Sequence, residues 1–345
     1  MLFNVPVAPS LGYSSMPMNV GSMRNAGVEV ELNYTPVRTK DITWDIFANI
    51  TFGWNKVLKL DKRILNTRSN WRNDSELGWL RGSNFYQEGK SMYQLWLVEY
   101  AGVDAETGKA LYWSLRDTDT PYSYKKDDKG NYIQQKDDNG QLVYDEDGKP
   151  VYEVDQYVQE EYKTDDFSEA RTKNRKSTGN LMPKAYGGFG TTLSAYGFDF
   201  SVQFAYQFGG RIIDSGYQTL MGNGQTAELG QAWHKDILNA WTPQNAITDV
   251  PRLEGVAATV ANTTSTRFLI SSNYLSLNNI TVGYTFPNKW TNKFKVSDIR
   301  LYFAAENVAL WSKRKGLDPR QGYTSSDNAT YSPIRAITGG IKFSF

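Results

Sequence analysis

Phe198-Asp199-Phe200-Ser201-Val202-Gln203-Phe204-Ala205-Tyr206-Gln207-Phe208 carries only apolar or aromatic side chains at its even positions, and Asp, Ser, Gln, Ala and Gln at its odd ones. Successive side chains of a strand point to opposite faces, so this stretch is a strand with one greasy and one polar side. The pattern recurs outward in both directions. Over 42–54, Ile42, Trp44, Ile46, Ala48, Ile50, Phe52 and Trp54 oppose Thr43, Asp45, Asn49 and Thr51, with Phe47 as the one break. Over 26–35, Val28, Val30, Leu32 and Tyr34 oppose Glu29, Glu31 and Asn33; over 296–307, Ile299, Leu301, Phe303 and Ala305 oppose Asp298, Arg300, Tyr302 and Glu306. Further strands are expected near 91–100, 109–115, 185–195, 273–286 and 335–345. Segments of about ten residues or more have the length that a tilted strand needs to cross a bilayer.

The connections alternate in length. Tyr34 to Ile42 passes through a brief turn with Pro36, Tyr196-Gly197 is a tight reversal, and Phe286 to Val296 is a modest link. Long polar stretches occupy 56–90, 116–183, 209–272 and 310–334. Short turns on one side and long loops on the other mark an outer-membrane barrel. Within 116–183 a loose repeat, Asp127-Asp128-Lys129-Gly130, Asp137-Asp138-Asn139-Gly140 and Asp145-Glu146-Asp147-Gly148, reads as turns of small exposed hairpins. A helix is expected around 226–240, ending before Trp241-Thr242-Pro243.

Composition narrows the function. The 38 basic and 37 acidic residues leave a formal charge of +1, which gives no electrostatic reason to expect a nucleic-acid partner. With 0 cysteines, disulfides, thiolate metal sites and cysteine nucleophiles are excluded. No stretch of about eighteen apolar residues is present, so no transmembrane helix is expected, and a barrel stays open because alternating strands average out as polar. The 10 Trp, 22 Tyr and 16 Phe sit mostly in or beside strand-like segments, as interfacial girdles require. The first residues, Met1 to Ser15, lack a charged region followed by an apolar one and do not read as a secretory signal.

Several stretches, taken in order, resemble the SusC/RagA type of TonB-linked outer-membrane proteins. They are Asn19 to Glu29 (N-x-G-x-x-x-N-x-G-hydrophobic-E), Ala101-Gly102-Val103-Asp104-Ala105-Glu106-Thr107-Gly108, and Pro183 to Gly188 with Gly197-Phe198-Asp199-Phe200 and Phe208-Gly209-Gly210. Asn273 to Pro287, and Ala305-Glu306-Asn307 with Lys315-Gly316-Leu317-Asp318-Pro319, continue the match. Thr338-x-Gly340-x-x-Phe343-x-Phe345 is similar to the C-terminal strand that barrel-assembly machinery recognises, since an edge strand with one aromatic face can pair with that machine before closure.

This resemblance implies an all-β chain, 1–345 being the C-terminal part of a large antiparallel transmembrane barrel. About nine strands are expected here, against the roughly twenty-two of plugged transporters, and the family's plug has no counterpart. A charged extracellular loop insertion is expected at 116–183, and a second long extracellular loop with a short helix at 209–272. The implied function is TonB-powered import across the cell outer membrane of large nutrients, oligosaccharides first and peptides as the alternative within the family. Implied partners are outer-membrane lipids, the TonB complex through an N-terminal part missing here, a SusD-like surface lipoprotein and the barrel-assembly machinery. A Met followed at once by mid-barrel sequence is what a truncated gene, a partial assembly or an excised piece gives. A passive porin or adhesin, a barrel-embedded hydrolase and a soluble sugar-binding β-sandwich are the rival classes.

Candidate chemistry is sparse, and no catalytic, metal or cofactor residue is expected. His234 is the one histidine, so a His-based zinc site lacks a second imidazole, a Ser-His-Asp triad would rest on this residue alone, and it reads as an ordinary loop residue. An EF-hand with Gly148 sixth places Val143 first and Val154 twelfth, where ligands are needed. Trp71, Trp79, Tyr122, Tyr217 and Trp233 either stack on sugar rings or pack against neighbouring loops or the missing plug. Glu29, Glu31, Asp45, Asn49, Asp199, Gln203, Arg300 and Glu306 are expected to line the lumen.

Overall fold

A computed structural model describes residues 1–8, 10, 12, 14–65, 67–68, 77–222, 232–253, 261–321 and 333–344. Seven strands form one continuous antiparallel sheet: β1 (Gly21–Arg38), β2 (Ile42–Leu60), β3 (Ala185–Ala195), β4 (Phe198–Phe208), β5 (Tyr274–Thr285), β6 (Asp298–Ser312) and β7 (Ala336–Ser344). Their spatial order follows the chain, with β1 and β7 at the two edges.

The register makes the alternation coherent across strands. One row runs Ile42, Ala195, Phe198, Tyr284, Leu301, Ile341, and another Trp44, Leu193, Phe200, Val282, Phe303, Gly339. A one-residue slip in any strand would put its polar set into that surface, so the pattern pins the register. The apolar face meets no protein: Phe198, Phe303 and Phe343 are 58%, 50% and 53% exposed. An unbroken apolar sheet face is tolerated in hydrocarbon and not in water. Aromatics gather at both its ends, with Phe52, Trp54, Phe208 and Trp311 toward the long connections and Tyr34, Tyr196, Phe198 and Trp290 toward the short ones.

The opposite face reads Glu31, Asn49, Gly188, Ala205, Ser276 along one row. Phe47 belongs to it, and its ring covers Gly190, where a Cβ would lie 2.6 Å from the ring carbons. Tyr302 covers Gly340 in the same way. The break at Phe47 is therefore a cross-strand aromatic filling the space a glycine leaves.

The reversal at Tyr196-Gly197 has positive φ at both residues, 51° and 88°, the mirror-image turn whose twist matches paired strands. At the β5–β6 irregularity Asn307 takes φ 50°, a left-handed position that asparagine tolerates better than most residues.

Two of the expected strands lie elsewhere. Gln94–Val98 and Ala110–Tyr124 belong to separate small sheets within the long excursion between β2 and β3. Every residue of Gln94–Val98 is buried, and a strand buried on both faces cannot also present one to lipid. The helix expected at 226–240 is also absent from its described part. His234 is extended, and a 3-10 turn covers only Lys235–Asn239; residues 226–231 lie outside the described residues.

The hydrophobic cores sit in the long connections and at the end of β2 that joins them. One joins Leu95, Leu97, Leu181, Ile213, Met221 and Phe268, a second Val20, Val57, Leu60, Trp79 and Tyr86, and a third Val98, Ala110, Tyr112, Ala170 and Ala261. Residues distant in sequence, Leu95 and Leu97, then Leu181, Ile213 and Met221, then Ile237, Ala240, Val250 and Phe268, thus share one core and pack as a layer on the wall's long-connection end.

Candidate functional site

The polar wall is tied by charge as well as by backbone. Arg300 of β6 reaches across Gly283 of β5 to Asp199 of β4, with Nε 3.0 Å from Oδ1 and Nη2 2.5 Å from Oδ2. A side chain at 283 would collide with both, so the glycine permits a two-point ion pair between strands that are not neighbours. Glu29, Glu31, Asp45, Asn49, Gln203 and Glu306 share this face by register, as the alternation predicts.

Over the wall's long-connection end, the family-like motifs hold loop segments together. Asp104 of the AGVDAETG stretch accepts the N–H groups of Thr107 and Glu106, which hold its carboxyl below the usual range. Gly108, at φ 72°, lies against the Trp241 ring; Trp241 Nε1 donates to Ala105 O at 3.1 Å, and Arg252 Nη1 to Thr107 O at 2.8 Å. That turn therefore clasps the 241–252 segment. Asn273 accepts from Gly209 N at 2.7 Å, joining two of the motifs.

Two nearly inaccessible carboxylates anchor the layer. Asp214 caps the short helix Ser215–Leu220 through Tyr217 N and takes Arg314 Nε at 2.6 Å, while Arg314 also lies 4.7 Å above the Tyr217 ring. Asp318 is held by Arg320, whose Nη1 reaches Ser276 Oγ on β5 at 3.0 Å. Asp214 is visible in the sequence as a helix cap, but its partner one hundred positions away is not.

The acidic repeat folds as expected. Asp127, Asp137 and Asp145 each accept two following backbone N–H groups, and Gly130, Gly140 and Gly148 follow at positive φ. For Asp127 the Asn131 amide is the main cause of a carboxyl held below its usual range. Lys125, Ile133 and Glu153 close a ring of three N–H···O bonds, and Gln135, Val143 and Val151 close a second. Tyr124, Tyr132 and Tyr152 meet above this triangle with ring centroids 5.6–6.0 Å apart. These three partly exposed rings form an aromatic patch at the tip of a hairpin; the alternation of the repeat contained them, but only its threefold closure brings them together.

Of the aromatics weighed from sequence, Trp79 is buried against Phe3 and Tyr86, so it serves the core. Tyr217 packs edge-on to His234 and Phe268, burial pushing its hydroxyl up to about 12 with the Asp236 hydrogen bond adding to it. Tyr122 and Trp233 are exposed, and Trp71 lies outside the described residues. His234 accepts from Asp236 N through Nδ1 and caps the 3-10 turn. At the end of the sheet, Thr338 and Gly340 face the polar side opposite Ala304 and Tyr302, and Phe343 the apolar side opposite Ile299; Phe345 lies outside the described residues. Among the described residues no group of three or more His, Cys, Asp or Glu side chains could hold a metal ion.

A wall with a lipid-facing surface, a polar inner face, short turns on one side and a folded loop layer on the other defines an outer-membrane β-barrel protein. No family model matches the chain. It is 26% identical over 365 residues to TonB-dependent receptor P3 of Formosa agariphila, covering 100% of this chain and 31% of the receptor. To TonB-dependent receptor SusC of Bacteroides thetaiotaomicron it is 25% identical, covering 91% of this chain and 26% of that one. The structures of the RagAB peptide transporter and of the RagAB peptide importer in its closed-closed state superpose with TM-scores of 0.69 and 0.71. Both are 26% identical and cover 100% of this chain and 32% of theirs. The chain is a homologue of the SusC/RagA-type TonB-dependent receptors and an outer-membrane protein, and it spans about a third of the length of these relatives.

Proposed function

We propose that this chain is the C-terminal barrel wall and extracellular loop layer of a TonB-dependent importer of large nutrients. The observation that carries the reading is the seven-stranded sheet with a lipid-facing side, backed by a polar face and capped at one end by loops that share cores. The plug and the TonB-contacting segment belong to the part of such receptors that this chain does not span. The folded layer, including 116–183 and 209–272, faces outward, where a SusD-like lipoprotein would close over it. No covalent step is assigned to any residue. Thr338, Gly340, Phe343 and Phe345 act before transport, as the strand offered to the assembly machinery.

For cargo, oligosaccharides are the first reading. The Tyr124, Tyr132 and Tyr152 patch offers flat apolar faces suited to pyranose C–H surfaces. Peptides are the second reading, favoured by the likeness to the RagAB peptide transporter. The test is uptake of labelled oligosaccharides and labelled peptides by cells with and without the gene, repeated with the proton-motive force collapsed. The importer reading requires that loss of the gene and loss of energy each abolish uptake of one class. Uptake that survives uncoupling would make the barrel a passive porin, and unchanged uptake of both classes would overturn import altogether.

A further inference from the structure

The wall has a gap at its extracellular margin. The β2–β3 ladder ends at Thr51, and the same edge of β2 is next engaged at Val57, which exchanges hydrogen bonds with Gly89 and Lys90. Between these points lies a cavity of about 610 Å3, bounded by β2, the approach to β3, the exit of β4 and the strand Arg175–Asn180. Its charged lining is Lys184 and Arg211, with no carboxylate among the lining residues. Among the described residues neither cation has an ion-pair or hydrogen-bond partner for its charged end.

The neutral polar groups of the cavity are donors as well. Asn180 Oδ1 is occupied by Met182 N at 2.9 Å, and Asn273 Oδ1 by Gly209 N at 2.7 Å, which leaves both amide NH2 groups to donate. Thr178 Oγ1 is buried without a partner. The lining thus carries two cations, two amides and a hydroxyl with their donors unspent, and a tetrahedral oxyanion is the ligand that satisfies such a set. The depth is also informative. Trp54 lines the cavity, and Trp54, Phe208 and Trp311 mark the aromatic belt at this end of the apolar face. Such belts sit at headgroup level, where basic pockets take lipid phosphates.

We propose that this gap is a binding site for a phosphate-class oxyanion, presented on an anionic lipid headgroup or free in solution. It rests on the membrane-spanning reading of the sheet and is independent of which nutrient is imported. Lys184 and Arg211 hold the charge, and Thr178, Asn180 and Asn273 complete the shell.

The test uses the receptor purified from the outer membrane in detergent. Native mass spectrometry measures retention of phosphatidic acid against zwitterionic phosphatidylcholine, calorimetry measures inorganic phosphate, and the variants are Lys184→Met with Arg211→Met, and Lys184→Arg alone. Retarded migration of the unheated protein on a gel reports that each variant is folded. The double variant is expected to bind the phosphate ligand about thirtyfold more weakly and Lys184→Arg to bind near the wild-type level, from the typical contribution of each basic side chain at a membrane surface. Retention of phosphatidic acid over phosphatidylcholine identifies the headgroup as the source. Inorganic phosphate binding equally well, with the same dependence on the two residues, identifies a free anion. Equal binding by the wild type and the folded double variant, or no binding of either probe to the wild type, overturns the proposal.

Discussion

Replacing Arg314 by Met tests what holds the loop layer together. Asp214 has a side chain only 1% exposed, and Arg314 supplies its countercharge. Removing one partner of a buried pair leaves an uncompensated charge, at a cost of about 3–5 kcal/mol. Because Asp214 also caps Ser215–Leu220 and its own N–H bonds to Phe268 O, the cost falls on local opening of this segment rather than on the wall. Hydrogen exchange of the 215–221 amides in the membrane-embedded receptor reads it directly. At about 1.4 kcal/mol per factor of ten, exchange should accelerate by roughly two to three and a half orders of magnitude while β2–β6 amides keep their rates. Adding Asp214→Asn removes the stranded charge and keeps an oxygen for the Tyr217 N–H, so the double variant should recover about 1–2 kcal/mol of the loss. Acceleration of less than about threefold in Arg314→Met would refute the argument, because the pair would then be dispensable to the layer.

Gly108→Ala puts a Cβ 2.4 Å from the Trp241 ring at a left-handed position, so Trp241 should lose its bond to Ala105 and the 241–252 segment should become cleavable in limited proteolysis. The ordering contribution should fall by about 1.5–3.5 kcal/mol, summing the left-handed strain and a lost hydrogen bond. Burial holds the hydroxyls of Tyr100 and Tyr217 up to about 12, above their ordinary 10.0. A folded-state value above the unfolded one gives stability that is complete below pH 10 and is lost as pH rises through about 12. Phenolate absorbance should therefore show these two titrating late, and loop opening should begin only above pH 10. Phe343→Ser leaves β7 with a weakened aromatic face; pulse labelling should show slower conversion to the gel-retarded folded form, and unchanged kinetics would refute the proposed role of Phe343 in assembly.

The period-two pattern of 198–208 and 42–54 was enough to read the wall from sequence. In a barrel each strand's two faces meet two solvents, lipid and lumen, so the constraint acts residue by residue and leaves a local trace. The short reversals were legible for the same reason, since Tyr196-Gly197 and the Asp-x-x-Gly turns carry their own backbone requirements. Strands such as Gln94–Val98 look alike in sequence whether they join a wall or a loop core; only burial on both faces separates them, and that depends on chain far away. The same holds for the Asp214–Arg314 pair, the tyrosine triangle and the donor-lined gap at Lys184 and Arg211. Each is a meeting of side chains from different connections, with no periodic or neighbouring signal to announce it. Sequence by itself determined the membrane-facing alternation, and only tertiary structure decided which loop residues converge, because convergence is fixed by long-range packing of the cores.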